Sequence, residues 1–174
     1  MIILVTGVSS GFGKAIAKSL VSNGHKVFGT VRRNVEPMEG VTYLQADVQD
    51  DSQIAAAFDQ MMKLTDGRMS DVSVSLIEPG DFSTGFTATR KRVNVEMASD
   101  AYPSYARSLA SIENDENNGL KPDYLASRIC RIVEKKKPAY RYVVATFLQR
   151  LAVFAKWLLP APAFAWILSI YYKL

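Results

Sequence analysis

Short apolar runs alternate along the chain with longer stretches in which an apolar residue recurs every three or four positions. The run from Met1 to Val5 is uninterrupted and leads into Thr6-Gly7, as is typical of a parallel strand buried on both faces. From Phe12 onward the apolar positions follow helical spacing until Asn23-Gly24, a pair that favours the end of a helix. The start of the chain therefore predicts a strand in the middle of its sheet, a turn and a helix.

The same alternation continues toward the middle of the chain. Lys26–Val31 and Val41–Val48 are rich in β-branched and aromatic residues and predict a second and a third strand. Asp51 can cap a helix that carries apolar residues through Met62. Val72–Ile77 predicts a fourth strand, which stops at Glu78-Pro79-Gly80. Strands that alternate with helices indicate βαβ units and therefore an α/β fold with a parallel sheet.

The second half of the chain predicts more helix than strand. Residues 81–97 are polar and predict a loop long enough to be functional. Apolar spacing predicts one helix around Tyr105–Ile112 and another over Pro122–Lys137, with proline at its first position and lysines at its end. Tyr140–Thr146 predicts a fifth strand, and residues 147–174 predict a helical extension. We therefore expect two parts, residues 1–146 and 147–174.

Composition and charge narrow the class of protein. The 174 residues are 48% apolar and 22% charged, which suits one globular domain with a real core and excludes a disordered chain. A single cysteine cannot form an internal disulfide, and no signal sequence precedes the first strand, so we expect a reducing, cytoplasmic location. The formal charge is +4, but opposite charges intermix, so no nucleic-acid partner is expected. No metal-ligand spacing is present.

Three glycines lie between the first strand and the first helix, in Thr6-Gly7-Val8-Ser9-Ser10-Gly11-Phe12-Gly13. In this context Gly7 permits a tight turn, Gly11 lets the backbone approach a pyrophosphate, and Gly13 allows the helix to pack on the sheet. A pyrophosphate would meet the N–H groups and the positive dipole at the helix N-terminus. The alternative interpretation is a tight βα turn without a ligand.

The segment TGVSSGFG resembles the TGxxxGxG cofactor turn of the short-chain dehydrogenase/reductase family. Ala46-Asp47-Val48 after the third strand, Ile77–Gly80 after a strand, and Thr84 completing PGxxxT agree with the family in order. The resemblance covers residues 1–62 and 72–146. It implies a Rossmann-like, doubly wound, mostly parallel sheet of about five strands with a C-terminal helical extension. It also implies an oxidoreductase that acts on a small-molecule alcohol or carbonyl.

Arg32-Arg33 lies about 20 residues past the glycine turn, where an acid would bind the ribose 2′-OH of NAD and an arginine would accommodate the 2′-phosphate of NADP. A guanidinium pairs bidentately with phosphate, so the sequence predicts NADP(H), with two solvated arginines as the alternative. The resemblance implies that Asp47 and Val48 flank the adenine, and that Pro79, Gly80 and Thr84 hold the nicotinamide. The predicted cofactor residues are Gly7, Ser9, Ser10, Gly11, Phe12, Gly13, Arg32, Arg33, Asp47, Val48, Pro79, Gly80 and Thr84.

The catalytic pattern of that family is absent from the chain. Its members use a YxxxK pair, in which the nearby lysine lowers the pKa of the tyrosine, with a serine and an NNAG turn. No tyrosine here is followed four positions later by lysine, and Tyr124 with Arg128 is the nearest approach. We therefore predict no catalytic residues and a central segment missing near residues 65–72. Strand 72–77 would then pair with the first strand in the order 3-2-1-4-5; the alternative is an exposed edge.

The C-terminal residues admit two interpretations. An apolar stretch from Trp157 to Tyr172 contains Pro160 and Pro162 and is shorter than the ~20 residues that a membrane-spanning helix needs. With Arg150, Lys156 and Lys173 it resembles a helix lying on a membrane surface; alternatively it covers a substrate side or a homo-oligomer interface. His25 is expected to be solvated, and Cys130 to be a small buried apolar residue. The functional alternatives are an impaired NADP(H) oxidoreductase domain and an inactive nucleotide-, partner- or membrane-binding remnant.

Overall fold

The computed structural model of the protein describes residues 1–67, 75–90 and 102–172, and these form two compact units. The first unit comprises Met1–Leu76 and Pro122–Tyr142, and the second comprises Ile77–Lys121 and Val143–Leu174. The described elements are, in chain order, β1 (Ile2–Val5), α1 (Gly11–Ser22), β2 (Lys26–Val31), β3 (Val41–Gln45), α2 (Asp51–Leu64), β4 (Leu76–Pro79), α3 (Phe86–Thr89), α4 (Tyr105–Asn117), α5 (Pro122–Val133), β5 (Arg141–Val144), α6 (Phe147–Leu158) and α7 (Ala161–Tyr171).

The sheet of the first unit is parallel and has the order β1-β2-β3. Val27 of β2 lies opposite both Ile3 and Val41, and every residue of β2 after Lys26 is buried. β2 is therefore the central strand, and the prediction that β1 lies mid-sheet is wrong for the described residues. An apolar run signals burial, but it carries no information on which strands flank it; Leu4 of β1 remains 41% exposed.

Helices cover both faces of this sheet. Alternate β2 residues point to opposite faces: Val27 and Val31 pack with α1 and α5, whereas Phe28 packs with α2. The two clusters are completed by Val8, Ala17, Leu20 and Cys130 on one face and by Leu44, Ala46, Ala57 and Met61 on the other. This arrangement confirms the doubly wound α/β class.

Of three local predictions in the first unit, the one for Cys130 is confirmed, and those for His25 and for the cap of α2 are wrong. Cys130 is buried as predicted, and its Sγ lies 3.1 Å from Ser19 Oγ. His25 is not solvated: its side chain is only 9% exposed, because Glu134 Oε1 lies 3.4 Å from its Nε2 and Met1 N lies 3.4 Å from its Nδ1. The cap of α2 is Asp50 rather than Asp51, since the Asp50 carboxylate accepts from the N–H groups two and three residues later.

The fourth and fifth strands pair with each other. The Leu76 N–H donates to Tyr140 O (2.6 Å) and the Gly80 N–H donates to Val144 O (3.0 Å). Residue numbers rise in the same direction on both strands, so the pair is parallel. In the described part of the chain β4 belongs to this two-stranded sheet and β1 to the three-stranded one. The predicted order 3-2-1-4-5 is therefore wrong there. Pro79 ends the strand instead of following it, and Val72–Val74 lies outside the described residues.

The second unit is mostly helical. Part of the predicted loop 81–97 is the short helix α3, and residues 91–97 lie outside the described residues. Glu116 on α4 binds Arg90 Nη2 at 2.5 Å and accepts from Thr87 Oγ1 at 2.7 Å. These contacts, with the Thr87 hydrogen bond contributing most, lower the pKa of the Glu116 carboxyl.

The C-terminal extension is helical, as predicted. Thr146 and Gln149 form a reciprocal capping box at the start of α6, and Pro160 precedes α7. Across residues 1–67, 75–90 and 102–172 no helix has the length and apolar character that crossing a membrane requires. The predicted division between residues 146 and 147 coincides with the start of α6 and stays a prediction.

Candidate functional site

The glycine turn after β1 is held by backbone contacts with β2. The N–H of Gly7 donates to both Thr30 O and Thr30 Oγ1 at 3.1 Å, and the N–H of Val8 donates to Thr30 O at 3.1 Å. Gly29 makes this approach possible, because a Cβ there would lie 2.4 Å from Val8 Cγ2. The turn is therefore held in place by the central strand of the sheet.

Each of the three glycines in the motif lies at a position where a larger residue would be strained or would clash with the backbone. Gly7 and Gly11 have φ angles of 73° and 54°, in the left-handed region that favours glycine. A Cβ on Gly13 would lie 2.2 Å from Gly7 O, so only glycine lets α1 begin this close to the turn. Ser10 occupies the N-cap without a side-chain cap bond, and the first turn holds no acidic residue. This positive helix end suits an anion.

The predicted arginines lie at the same end of the sheet as the glycine turn. Arg32 and Arg33 directly follow β2, and together with Ser9, Ser10, Asn34 and Val35 they line a cleft of about 340 Å³. Both arginines are exposed. In the described part of the chain neither guanidinium has an ion pair or a side-chain hydrogen bond. The cleft therefore combines two hydroxyls with two positive charges that no described acid neutralises.

A second cleft of about 400 Å³ shares Ser9 and Val35 with the first. Lys14 and Lys18 of α1 lie along it, one helical turn apart on the same face. Glu36, Pro37, Met38 and Tyr43 complete its lining. The sequence motifs did not indicate Lys18, although its i+4 spacing from Lys14 was a usable signal. Asn34, Val35 and Tyr43 carried no such signal.

Asp47 and Val48 follow β3 without lining either cleft. Asp47 Oδ1 accepts from the Gln49 N–H (3.0 Å), and its own N–H donates to Gln53 Oε1 (3.0 Å). This local turn leaves Val48 67% exposed. Of the two residues predicted to flank the adenine, Asp47 is thus half-buried in this turn and Val48 is exposed.

Pro79, Gly80 and Thr84 lie in the second unit. Gly80 packs tightly there, since a Cβ would lie 2.2 Å from Gln149 Oε1. The Thr84 N–H donates to Phe82 O at 2.9 Å, which makes a short turn after the bridge between Phe82 and Leu120. The structure therefore brings four of the thirteen predicted residues into one cleft, directly beside the glycine turn, and keeps these three in a separate unit.

The tyrosines of this chain do not supply the tyrosine–lysine pair, spaced YxxxK, that is expected at a hydride-transfer site. Tyr124 and Arg128 face each other on α5, with Arg128 Nη2 2.9 Å from the Tyr124 hydroxyl and the guanidinium 5.3 Å from its ring. Arginine keeps its proton too firmly to replace lysine fully. The described residues also include no group of acids, histidines or cysteines that could hold a metal ion. The groups that the cleft does bring together, two hydroxyls and two guanidinium groups beside a helix N-terminus, are of the kind that binds phosphate.

A parallel sheet whose first βα turn is glycine-rich, with arginines after the second strand, defines a dinucleotide-binding α/β domain. A family model described as short chain dehydrogenase matches residues 1–70. The 3-ketodihydrosphingosine reductase of Bacteroides thetaiotaomicron is 26% identical over 99% of this chain and 98% of that protein. The aligned positions number 264, 90 more than the 174 residues of the chain.

A probable NADP-dependent dehydrogenase of Dichelobacter nodosus is 38% identical over 43% of this chain and 76% of that protein. A short-chain dehydrogenase of known structure from Streptomyces avermitilis is 15% identical, with a TM-score of 0.48 over 89% of this chain and 94% of that one. The chain belongs to the short-chain dehydrogenase family.

Proposed function

We propose that the first unit binds NADP(H), with the glycine turn at the pyrophosphate and Arg32 and Arg33 at the 2′-phosphate. The observation that carries this proposal is the 340 Å³ cleft in which Ser9, Ser10 and both arginines meet. Two unpaired guanidinium groups favour a phosphate ester over a free hydroxyl, because each can form a charge-assisted bidentate pair. The name of the Dichelobacter nodosus relative, which is described as NADP-dependent, agrees with this choice.

The reaction class follows from the cofactor. When bound, NADPH supplies a hydride to a carbonyl carbon, and the family acts on alcohol and carbonyl substrates. For the complete form of this protein we propose a long-chain ketone as substrate, since the Bacteroides thetaiotaomicron relative is a 3-ketodihydrosphingosine reductase and aligns along the whole chain.

We further propose that this chain binds the cofactor without transferring hydride efficiently. A ketone reductase needs a proton donor beside the carbonyl, and no tyrosine–lysine pair at the required spacing is present. At least 90 aligned positions have no residue of this chain, which supports a missing segment that would carry such a pair. We expect NADPH oxidation by long-chain ketones to remain at the rate of a no-enzyme control. Turnover well above that control would reveal a different acid and contradict this part of the proposal.

Cofactor choice is testable by thermal unfolding with NADPH or NADH. A ligand that binds only the native state stabilises it by about 2.7 kcal/mol at a hundred times its Kd. NADPH should therefore raise Tm at concentrations where NADH does not, and Arg32→Ala with Arg33→Ala should remove most of that difference. Arg131→Ala, an exposed arginine on α5, serves as the matched control.

Two results would contradict the cofactor proposal. If neither nucleotide shifts Tm, the clefts beside the glycine turn do not bind a dinucleotide. If NADH shifts Tm more than NADPH, or if the double variant keeps the NADPH preference, the two arginines are only solvated.

A second candidate function is attachment to a membrane surface through α6 and α7. No residue in either helix is buried, and large apolar side chains protrude from both: Phe147 is 82% exposed, Trp157 80% and Trp166 66%. Residues 143–174 contain three cationic residues and no acidic one. Apolar and indole side chains with cations and no acids are typical of helices that lie on anionic lipid.

A further inference from the structure

The second unit contains a cleft of about 290 Å³ between α6 and α7, remote in sequence from the glycine turn. Its walls are apolar, and six of the residues that form them are Leu148, Leu151, Ala152, Phe164, Ile167 and Leu168. The volume lies just below the usual range for small-molecule pockets, about 300–1,000 Å³. An apolar lining of this kind suits the hydrocarbon part of a ligand.

One part of this lining is acidic. Asp81, which follows β4, and Asp115, on α4, both belong to it, beside Gln149, Tyr171 and Tyr172. Gln149 Nε2 donates to Asp81 Oδ2 at 2.6 Å, and the Tyr171 hydroxyl donates to Asp115 Oδ2 at 2.9 Å. Each carboxylate is therefore oriented by a neutral donor, and neither has an ion pair with a described residue.

Both carboxylates influence the two tyrosines that line this cleft. Hydrogen bonding to Asp115 is the main cause that raises the pKa of the Tyr171 hydroxyl, with Asp81 adding a smaller electrostatic effect. Burial, followed by the charges of Asp81 and Asp115, raises the pKa of the Tyr172 hydroxyl. A partly buried pair of acids beside apolar walls is costly unless a cation joins it. Only two acids contribute, and most of the other lining residues are apolar, which does not suit a small metal ion.

We propose that this cleft binds a single-chain cationic amphiphile, a long-chain primary amine, with its ammonium group at Asp81 and Asp115 and its alkyl chain between α6 and α7. Ammonium donates three hydrogen bonds and complements two acceptors that lack a cation. The interpretation of this ligand as a substrate rests on the proposed oxidoreductase function, since 3-ketodihydrosphingosine, named for the Bacteroides thetaiotaomicron relative, is itself a long-chain amine. Binding of the amine does not depend on that function.

The test is calorimetric titration of the full chain with n-dodecylamine below its micellar concentration, against 1-dodecanol and dodecanoate of equal chain length. We expect the amine to bind at least tenfold more tightly than either. Each methylene removed from the amine should weaken binding by about fourfold while the chain lies inside the cleft. Equal affinity for amine and alcohol, or tighter binding of dodecanoate, would overturn the proposal.

Two variants separate the charged and apolar parts of the cleft. Asp81→Asn with Asp115→Asn should reduce amine affinity to that of dodecanol, and Ala152→Phe, on the exposed helix α6, should weaken amine and alcohol alike. Asp123→Asn replaces an exposed acid on α5, is the matched control, and should leave the amine affinity unchanged. Unchanged amine affinity in both cleft variants would also overturn the proposal.

The same proteins are titrated with NADPH, so that the two proposals fail separately. Loss of amine binding with an intact NADPH-induced rise in Tm places the effect in the cleft and supports its assignment. If the amine binds but NADPH does not change Tm, the amine site is supported and the interpretation of the amine as an oxidoreductase substrate is contradicted. An NADPH response with no amine binding to the unaltered chain refutes the cleft alone.

Discussion

At the scale of single residues, Gly13 shows how one missing side chain permits a binding turn. Its Cα lies where a Cβ would come within 2.2 Å of Gly7 O and 2.8 Å of Gly7 C, both backbone atoms that cannot rotate away. Gly7 itself is held by Thr30 through two hydrogen bonds, so the turn cannot retreat. The first turn of α1 therefore lies so close to Gly7 that no side chain fits between the two backbones.

We expect Gly13→Ala to destabilise the protein by about 1–3 kcal/mol, the usual cost of forcing extra volume into a packed position. The variant should also lose the NADPH-induced rise in Tm, because the turn must open to admit the methyl group. Thermal unfolding with and without NADPH measures both effects. Gly85→Ala is the control, since a Cβ there meets nothing within 4 Å, and it should leave both quantities nearly unchanged.

At the scale of elements, α2 depends on a cap that two adjacent acids could supply. The sequence contains Asp50-Asp51, and the structure selects Asp50, whose Oδ1 accepts from the N–H groups of Ser52 (3.0 Å) and Gln53 (3.2 Å). Hydrogen bonds, the strongest of them from the Ser52 hydroxyl, lower the pKa of the Asp50 carboxyl. Asp51 becomes the first helical residue instead.

Asp50→Ala should lower Tm at neutral pH, because the first turn of α2 loses its acceptor. Since the folded-state pKa of Asp50 is lowered, its contribution is fully present above the ordinary value of 3.8 and is lost as pH falls through the folded-state pKa. The Tm difference between the two proteins should accordingly shrink in acid. Asp59→Ala on the same helix is the control; a difference that persisted at low pH would contradict the capping role.

At the scale of the whole molecule, α6 and α7 leave large apolar side chains exposed, and we proposed a membrane surface as their partner. Vesicle flotation tests the membrane alternative: the chain should float with vesicles of phosphatidylglycerol and phosphatidylcholine, weakly with phosphatidylcholine alone, and less at high salt. Trp157→Ser with Trp166→Ser should abolish flotation, whereas Tyr140→Ser, a 73% exposed aromatic outside both helices, should not. A stable dimer that fails to float would favour the alternative of contact between copies of the chain.

Local features of the fold and site could be predicted from the sequence because neighbouring residues decide them. The glycine spacing predicted the turn whose φ angles and close contacts the structure contains, and β2 was predicted with its observed bounds. The position of Arg32 and Arg33 beside the glycine turn could be predicted from βαβ geometry, because parallel strands bring their carboxyl ends to the same edge of a sheet.

Contacts between distant residues were decided by the tertiary structure alone. Which strand is central, the pairing of β4 with β5, and the burial of His25 against Glu134 depend on partners that no local pattern encodes. Asp81 and Asp115 are separated by 33 intervening positions and line one cleft only because β4 and α4 fold into the same unit. The sequence by itself determined the glycine turn and the arginines beside it, because neighbouring residues fix both. Packing determined where the apolar side chains of α6 and α7 and the two acids came together.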